Sequence, residues 1–138
     1  MKYLPAALIA GLLFPVVALA ASPPAVVSET LLAATGSWDG HAYKNYPTGH
    51  PELTVLKITI PAHTKLAWHE HPEPHAAYLL SGTLMIQKRD GEKKIVRAGQ
   101  AVAETMNEVH RGVTGATPVV LLAFYAGAKG LPVTEPAP

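Results

Sequence analysis

The sequence predicts an all-β sandwich or barrel. Short β-prone runs alternate with turn residues at close intervals, and no segment sustains helical periodicity over three turns. Residues 53–60 alternate apolar and polar side chains and stop at Pro61, which cannot donate a backbone hydrogen bond. Asp90-Gly91 is typical of a tight hairpin turn between two strands. These observations favour a domain built from antiparallel strands.

The remaining strands are predicted between turn residues along the chain. Residues 38–52 are rich in Gly, Pro, Tyr and Asn, and we expect them to form an ordered loop or a broken edge strand. After the strand at 53–60, the runs predicted as strands are residues 66–71, 75–80, 84–88, 93–97, 101–104, 109–114 and 119–125.

Residues 1–20 have the features of a secretory signal peptide. Lys2 precedes an apolar run, and Ala18-Leu19-Ala20 is a small-x-small cleavage site. The run is short and broken by prolines and a glycine, which argues against the alternative of an uncleaved membrane anchor. We therefore expect a periplasmic or secreted protein with no stable membrane insertion after cleavage.

Removal of the signal peptide leaves a chain long enough for one domain. We expect a flexible leader at residues 21–37, the β domain at 38–128 and a proline-rich tail at 129–138. Neither the leader nor the tail is expected to carry chemistry.

Composition restricts the class of partner. The formal net charge of the full chain is +1, and no basic run is present, so nucleic acid is not an expected partner. The chain has no cysteine, so a bound metal would have nitrogen and oxygen ligands. The expected partner is a small molecule, as substrate or ligand.

Three of the seven histidines fall within residues 69–75. His69 and His71 are two positions apart, which places both side chains on one face of a strand. Pro72 and Pro74 should bend the chain, so that His75 begins the next strand close to the first pair. Neutral imidazole is the commonest metal ligand in proteins, so this cluster indicates a metal site.

His110 is the fourth histidine of interest. It ends the segment G-Q-A-V-A-E-T-M-N-E-V-H, residues 99–110, in which a glycine turn, a short strand and a polar turn precede the histidine. Together the two segments resemble the small single-domain type-2 cupins, with motifs G-x5-H-x-H-x3,4-E-x6-G and G-x5-P-x-G-x2-H-x3-N. Gly99 and His110 match the second motif, and the resemblance covers about residues 53–125.

In the first motif, His69 and His71 match the paired histidines and Gly82 matches the closing glycine. His75 falls where the family places glutamate. Four imidazoles would leave the full dipositive charge on the metal, which favours an anionic oxygen donor as ligand or substrate. The other departures from the two motifs are His63, Thr105, Asn107 and Thr114.

The resemblance implies a double-stranded β-helix (jelly-roll barrel) of six to eight strands with one divalent transition metal inside it. The implied ligands are His69, His71, His75 and His110. The metal could be Fe, Cu, Ni, Zn or Mn, and a carboxylate-free site weakens the case for Mn. The implied function is a metal-dependent enzyme, dioxygenase-like, that acts on a small organic substrate; the alternative is a non-catalytic cupin that binds a metal or a small ligand. Homodimerisation is also expected from similar folds.

Whether His75 coordinates the metal or lines the pocket is left open by the sequence. Glu104 has two possible roles at the site: its carboxylate could hydrogen-bond a ligand imidazole, or it could act as a base. The alternative is a strand residue that points outward. Glu73, between two prolines, is expected to be solvated. Exposed loop positions are expected for His41, His50 and His63, and positions on the barrel wall for Tyr78, Met85, Phe124 and Tyr125.

Overall fold

The structure is a computed structural model that describes residues 25–138. The predicted signal peptide at residues 1–20 lies outside the described residues. The described part of the chain contains nine β-strands, and no helix in it is long and apolar enough to cross a membrane. The strands are β1 (Pro51–Ile60), β2 (His69–Glu70), β3 (His75–Ser81), β4 (Thr83–Lys88), β5 (Lys93–Arg97), β6 (Ala101–Ala103), β7 (His110–Thr114), β8 (Val119–Ala128) and β9 (Glu135–Pro136).

The strands form two antiparallel sheets. The four-stranded sheet has the order β1-β8-β3-β6, and the five-stranded sheet has the order β5-β4-β7-β2-β9. Non-consecutive strands are neighbours in both sheets, as in a jelly roll. The prediction of an all-β jelly-roll fold is confirmed.

The inner faces of the two sheets form the core. Alternate residues of β3 and β8 point inward, and the deepest of them, Leu79 and Val119, are completely buried. Inward residues of β4, including Ile86, meet them from the five-stranded sheet. Of the residues expected on the barrel wall, Tyr125 is buried in the core, whereas Phe124 lies on the outer face and is 45% exposed.

Two residues other than glycine adopt the left-handed backbone conformation that glycine adopts most readily. Asn107, which stands where the cupin motif has glycine, has a φ of 56°, and His63, which replaces the opening glycine, has a φ of 52°. The backbone amide of Asn107 donates to the carbonyl of His71 at 2.8 Å. The turn before His110 is therefore tied directly to the segment that carries His71.

The strand predicted at residues 66–71 is shorter than expected, because only His69–Glu70 belong to β2. The residues before it run beside β7 without forming a regular strand: Lys65 makes an isolated antiparallel bridge with Val113, and the amide of Leu66 donates to the carbonyl of Gly112. The loop predicted at residues 38–52 is ordered, and the amide of Trp38 donates to the carbonyl of Ala103. Its last two residues, Pro51 and Glu52, belong to β1.

The C-terminal tail differs from the flexible, chemically silent segment that we expected. Glu135 and Pro136 form β9, which pairs with β2, and the amide of Ala137 donates to the carbonyl of Trp68. The tail supplies the ninth strand of a fold for which six to eight were expected. It thereby covers the edge of the strand that carries His69.

Candidate metal centre

Three histidines from two adjacent strands converge at one end of the barrel interior. His69 on β2 is the register partner of His110, the first residue of β7. His71 follows β2 directly, so the alternation of the backbone returns its side chain to the same face. One ring nitrogen from each of the three lies within 4.8 Å of the others. These three side chains could hold one metal ion.

The same three imidazoles are oriented by the backbone. The Nδ1 atoms of His69, His71 and His110 donate to the carbonyls of Ala67, Val133 and Glu108 respectively. An imidazole that donates from Nδ1 keeps the lone pair of Nε2 free for a metal. The hydrogen bonds therefore select the tautomer that a metal requires.

Burial keeps two of these histidines neutral. His71 and His110 are 5% and 3% exposed. Loss of solvent lowers the pKa of each to about 4, although a hydrogen bond to a carbonyl opposes the shift. At neutral pH both rings are uncharged, which is the form that binds a metal.

His75, the predicted fourth ligand, lies in the same cavity but is held differently. Its ring stacks on Tyr125 with centroids 4.9 Å apart, and its centroid is 4.1 Å from that of His71. Burial, assisted by the neighbouring His71, lowers the pKa of His75 to about 2. His75 does not belong to the group whose nitrogens lie within 4.8 Å of one another, so its coordination stays a prediction.

Glu104 faces the three histidines from the end of β6. It is 7% exposed, which excludes the outward position that the sequence left open. Its Oε2 lies 3.9 Å from Nε2 of His110 and has no hydrogen-bond partner within residues 25–138. Burial raises the pKa of Glu104 to about 8. The centre thus has a carboxyl group, although not at the position where the cupin motif places one.

Glu73 is not solvated, contrary to expectation. Its side chain is completely buried, and in the part of the chain that the structure describes neither carboxyl oxygen has a hydrogen-bond partner. The carboxyl group packs against Gly127, where no side chain occupies the space; a Cβ on this glycine would lie 3.7 Å from Oε1 of Glu73. Burial raises the pKa of this carboxyl, with a further contribution from Glu135. The side chain does not line the histidine cavity.

The remaining histidines lie away from the centre. His41, His50 and His63 are exposed, as expected, and Asp39 binds the ring of His41. They provide control positions for experiments on the buried cluster.

The histidines line a cavity of about 390 Å³ between the two sheets. Glu104 and Tyr125 lie at the same end of the cavity as the histidines, and two residues of the tail, Thr134 and Pro136, complete its wall. A cavity of this size is at the lower end of the range for small-molecule sites. The centre is therefore accessible from a space that can admit a small organic molecule.

The profile of the cupin domain matches residues 56–125, which is half of the chain. This chain belongs to the cupin family. The match includes all four histidines predicted as ligands, His69, His71, His75 and His110. No curated protein matches the sequence at a significant level.

Solved structures with a similar fold include several enzymes. The DMSP lyase DddQ from Ruegeria pomeroyi has a TM-score of 0.55 at 18% identity, over 62% of this chain and 43% of the lyase. The polyketide cyclase RemF from Streptomyces resistomycificus has a TM-score of 0.53 at 21% identity, over 62% of this cupin and 60% of the cyclase. A cupin-like protein from Thermotoga maritima has a TM-score of 0.53 at 19% identity, over 62% of this chain and 64% of that protein. This cupin spans less than half the length of the lyases it matches, and these similarities establish its fold alone.

The tail was missed as part of the site because its contacts are distant in sequence. The carbonyl of Val133 accepts from His71, 62 residues away, and Thr134 Oγ1 lies 3.4 Å from the same Nδ1. A two-residue strand with a proline gives no periodic signal. No local pattern could have assigned it a role.

Removal of residues 132–138 is expected to weaken metal binding by about 10- to 100-fold, because His71 loses its carbonyl acceptor and β2 loses its edge partner. Val133→Ala keeps the carbonyl and is expected to bind metal like the wild type. Competition with a chromophoric chelator measures both affinities, and circular dichroism checks that both variants fold. Equal affinities in the two folded variants would contradict the role of the tail.

Proposed function

We propose that this cupin is a metal-dependent enzyme that binds one divalent transition metal through His69, His71 and His110 and acts on a small organic substrate. One observation carries the proposal: three convergent imidazoles, two of them kept neutral by burial, share a cavity with a carboxyl oxygen that has no hydrogen-bond partner among residues 25–138. Imidazole ligands suit Fe, Cu, Ni and Zn, and a carboxylate from Glu104 would also suit Mn. Bound there, the metal would supply a Lewis acid that polarises a substrate oxygen.

The protein's own contribution is the position of Glu104. The carboxyl faces Nε2 of His110, and its Oε2 has no hydrogen-bond partner among the described residues, so its proton is free to exchange with a ligand in the cavity. A carboxyl with a pKa of about 8 is poised to accept and return a proton near neutral pH. We propose that Glu104 removes a proton from the bound substrate. Dioxygenase reactions are one class that begins with removal of a proton from the substrate. We include a dioxygenase-like, oxygen-dependent activity in this proposal.

The second candidate function is non-catalytic capture of a metal or of a small ligand. It is favoured by the position of His75, whose ring lies 4.1 Å from that of His71 and could close the site as a fourth ligand. A site with four protein ligands retains fewer positions for a substrate. The role of His75 therefore discriminates between the two functions.

We further propose that the protein acts in the periplasm or outside the cell, as the signal-peptide features of residues 1–20 indicate. Homodimerisation is also proposed. Cell fractionation and analytical ultracentrifugation, respectively, test the two points.

The proposal is tested by metal analysis of protein purified without a metal-affinity tag and incubated with equimolar Fe, Cu, Ni, Zn and Mn. We expect close to one transition metal per chain in the wild type and in His50→Ala, whose histidine is exposed and distant. His110→Ala is expected to lose the metal, because it removes one of three ligands held by the backbone.

The variant His75→Ala separates the two functions. Retained metal would place His75 in the pocket wall and support the enzyme, whereas lost metal would support the closed, binding site. Absence of metal from wild type and His50→Ala alike would overturn the metal centre, the enzyme and metal capture, and would leave capture of a small ligand in a metal-free pocket.

A further inference from the structure

The cavity exists because three small residues meet immediately beside the histidines. Ala77 and Ala123 are register partners on β3 and β8, and each is two residues from the pair His75 and Tyr125. On the facing sheet Gly112 is two residues beyond His110. All three line the cavity. We call them the small-residue layer.

Close packing between sheets normally requires large side chains from both inner faces. Here two methyl groups and a hydrogen face the interior at the same level, so the sheets leave a space next to the histidines. A Cβ on Gly112 would lie 3.1 Å from Cδ1 of Leu66 and 3.2 Å from Cδ1 of Leu84, so these two leucines occupy the space that a side chain at this position would need. Ala77 and Ala123 line the cavity that remains from the opposite sheet.

The chemistry of the wall changes abruptly at the small-residue layer. The polar side chains that line the cavity belong to the end that holds the histidines, with Glu104 and Thr134 among them. Beyond the layer the lining consists of aliphatic side chains, which include Ile60, Leu84 and Leu121. The backbone groups of the surrounding strands are paired in their ladders. A polar group of a ligand would find no hydrogen-bond partner there.

We infer that the substrate is an amphipathic small molecule with one oxygen-donor head at the histidines and an apolar, unsubstituted body in the small-residue layer. This inference rests on the proposed function, because the metal would hold the head. Successive inward residues on a strand are about 7 Å apart, so the layer accommodates roughly five or six carbons of an extended chain before the next layer of side chains. Short-chain or phenyl-bearing oxygen ligands fit this description, whereas sugars and polyols do not.

Straight-chain hydroxamates test the inference, because they present the same two oxygens to the metal while the alkyl chain alone varies. Calorimetric titration of the metal-loaded protein, from acetohydroxamate to decanohydroxamate, is expected to show affinity rising about fourfold per methylene. The rise should stop at roughly six carbons. A hydroxyl at the end of the hexanoyl chain is expected to weaken binding at least tenfold, because it is buried without a partner. Phenyl-bearing hydroxamates determine whether the body is preferably aromatic.

Ala123→Leu would fill the layer and is expected to weaken binding of hexanohydroxamate at least tenfold, with acetohydroxamate binding and metal content unchanged. Ala126→Leu is the matched control, since it makes the same change on the outer face of the same strand. Ala77→Val tests the layer from the neighbouring strand if the leucine variant does not fold.

The outcomes separate this inference from the proposed function. Wild-type protein that binds metal but shows no dependence on chain length overturns the apolar body and leaves the metal centre intact. Chain-length dependence in protein that retains no metal overturns the metal-bound head and supports the apolar body. Tight binding of the hydroxyl-terminated chain also overturns the inference.

Discussion

The metal-free protein is expected to lose its stability as the pH falls from about 6.5 to about 4. The pKa of His71 and that of His110 are each about 4 in the folded protein, against 6.5 for an unperturbed histidine. The unfolded chain therefore binds more protons in this interval, so the folded state is fully favoured above pH 6.5 and is disfavoured progressively below it. At pH 4 the free energy of unfolding is lower by about 3 kcal/mol for each ring.

His75 strengthens the effect, because burial lowers its pKa further, to about 2. The sum is comparable to the whole stability of an ordinary domain, so acid alone should unfold the metal-free protein. Urea denaturation of chelator-treated protein at a series of pH values measures the loss. His75→Leu is expected to reduce the pH dependence and His50→Ala to leave it unchanged. Stability that stays constant between pH 7 and pH 4.5 would show that these rings bind protons equally in the folded and the unfolded protein, so that burial does not lower their pKa.

Bound metal should move this acid transition to lower pH. Protons and a metal compete for the same Nε2 lone pairs, so binding favours the deprotonated rings. The metal-loaded wild type is therefore expected to resist acid better than metal-free wild type, and His110→Ala should show no difference between the two conditions.

Glu104→Gln is expected to stabilise the metal-free protein at high pH while it removes turnover. Burial raises the pKa of Glu104 from an ordinary value of 4.5 to about 8, so the folded state binds the extra proton and stability is lost as the pH rises through this range. At pH 8 the glutamine variant should be more stable by about 4 kcal/mol, and at pH 4.5 by little or nothing. Thermal denaturation of metal-free protein at both pH values measures the difference.

The same variant tests the proposed base. Glutamine cannot accept the proton, so turnover is expected to fall by about 10²- to 10⁴-fold while metal content stays near one per chain. Glu52→Gln, an exposed residue of β1, should change neither property. If Glu104→Gln gives no stabilisation at pH 8, the carboxyl is ionised in the folded protein. If the variant loses the metal, Glu104 is a ligand rather than a base.

Local pattern was sufficient to predict the strands and the cluster of histidines, because side-chain alternation and the spacing of His69 and His71 are properties of a single strand. The depth of Glu73 could not be predicted, since it depends on packing against Gly127, 54 positions later in the chain. Glu104 illustrates the same limit, because alternation allowed both an inward and an outward position and only the second sheet decides between them.

The carbonyl of Val133, which accepts the hydrogen bond from the His71 ring, is 62 residues away along the chain. His69 pairs with His110, which belongs to a different hairpin. Contacts of such long range close late in folding, since each requires large loops to be ordered first. We therefore expect the metal centre to be completed after the folding transition state rather than within it. Bound metal should leave the rate of folding almost unchanged and should slow unfolding. The metal-loaded protein would then stay folded longer mainly because it unfolds more slowly.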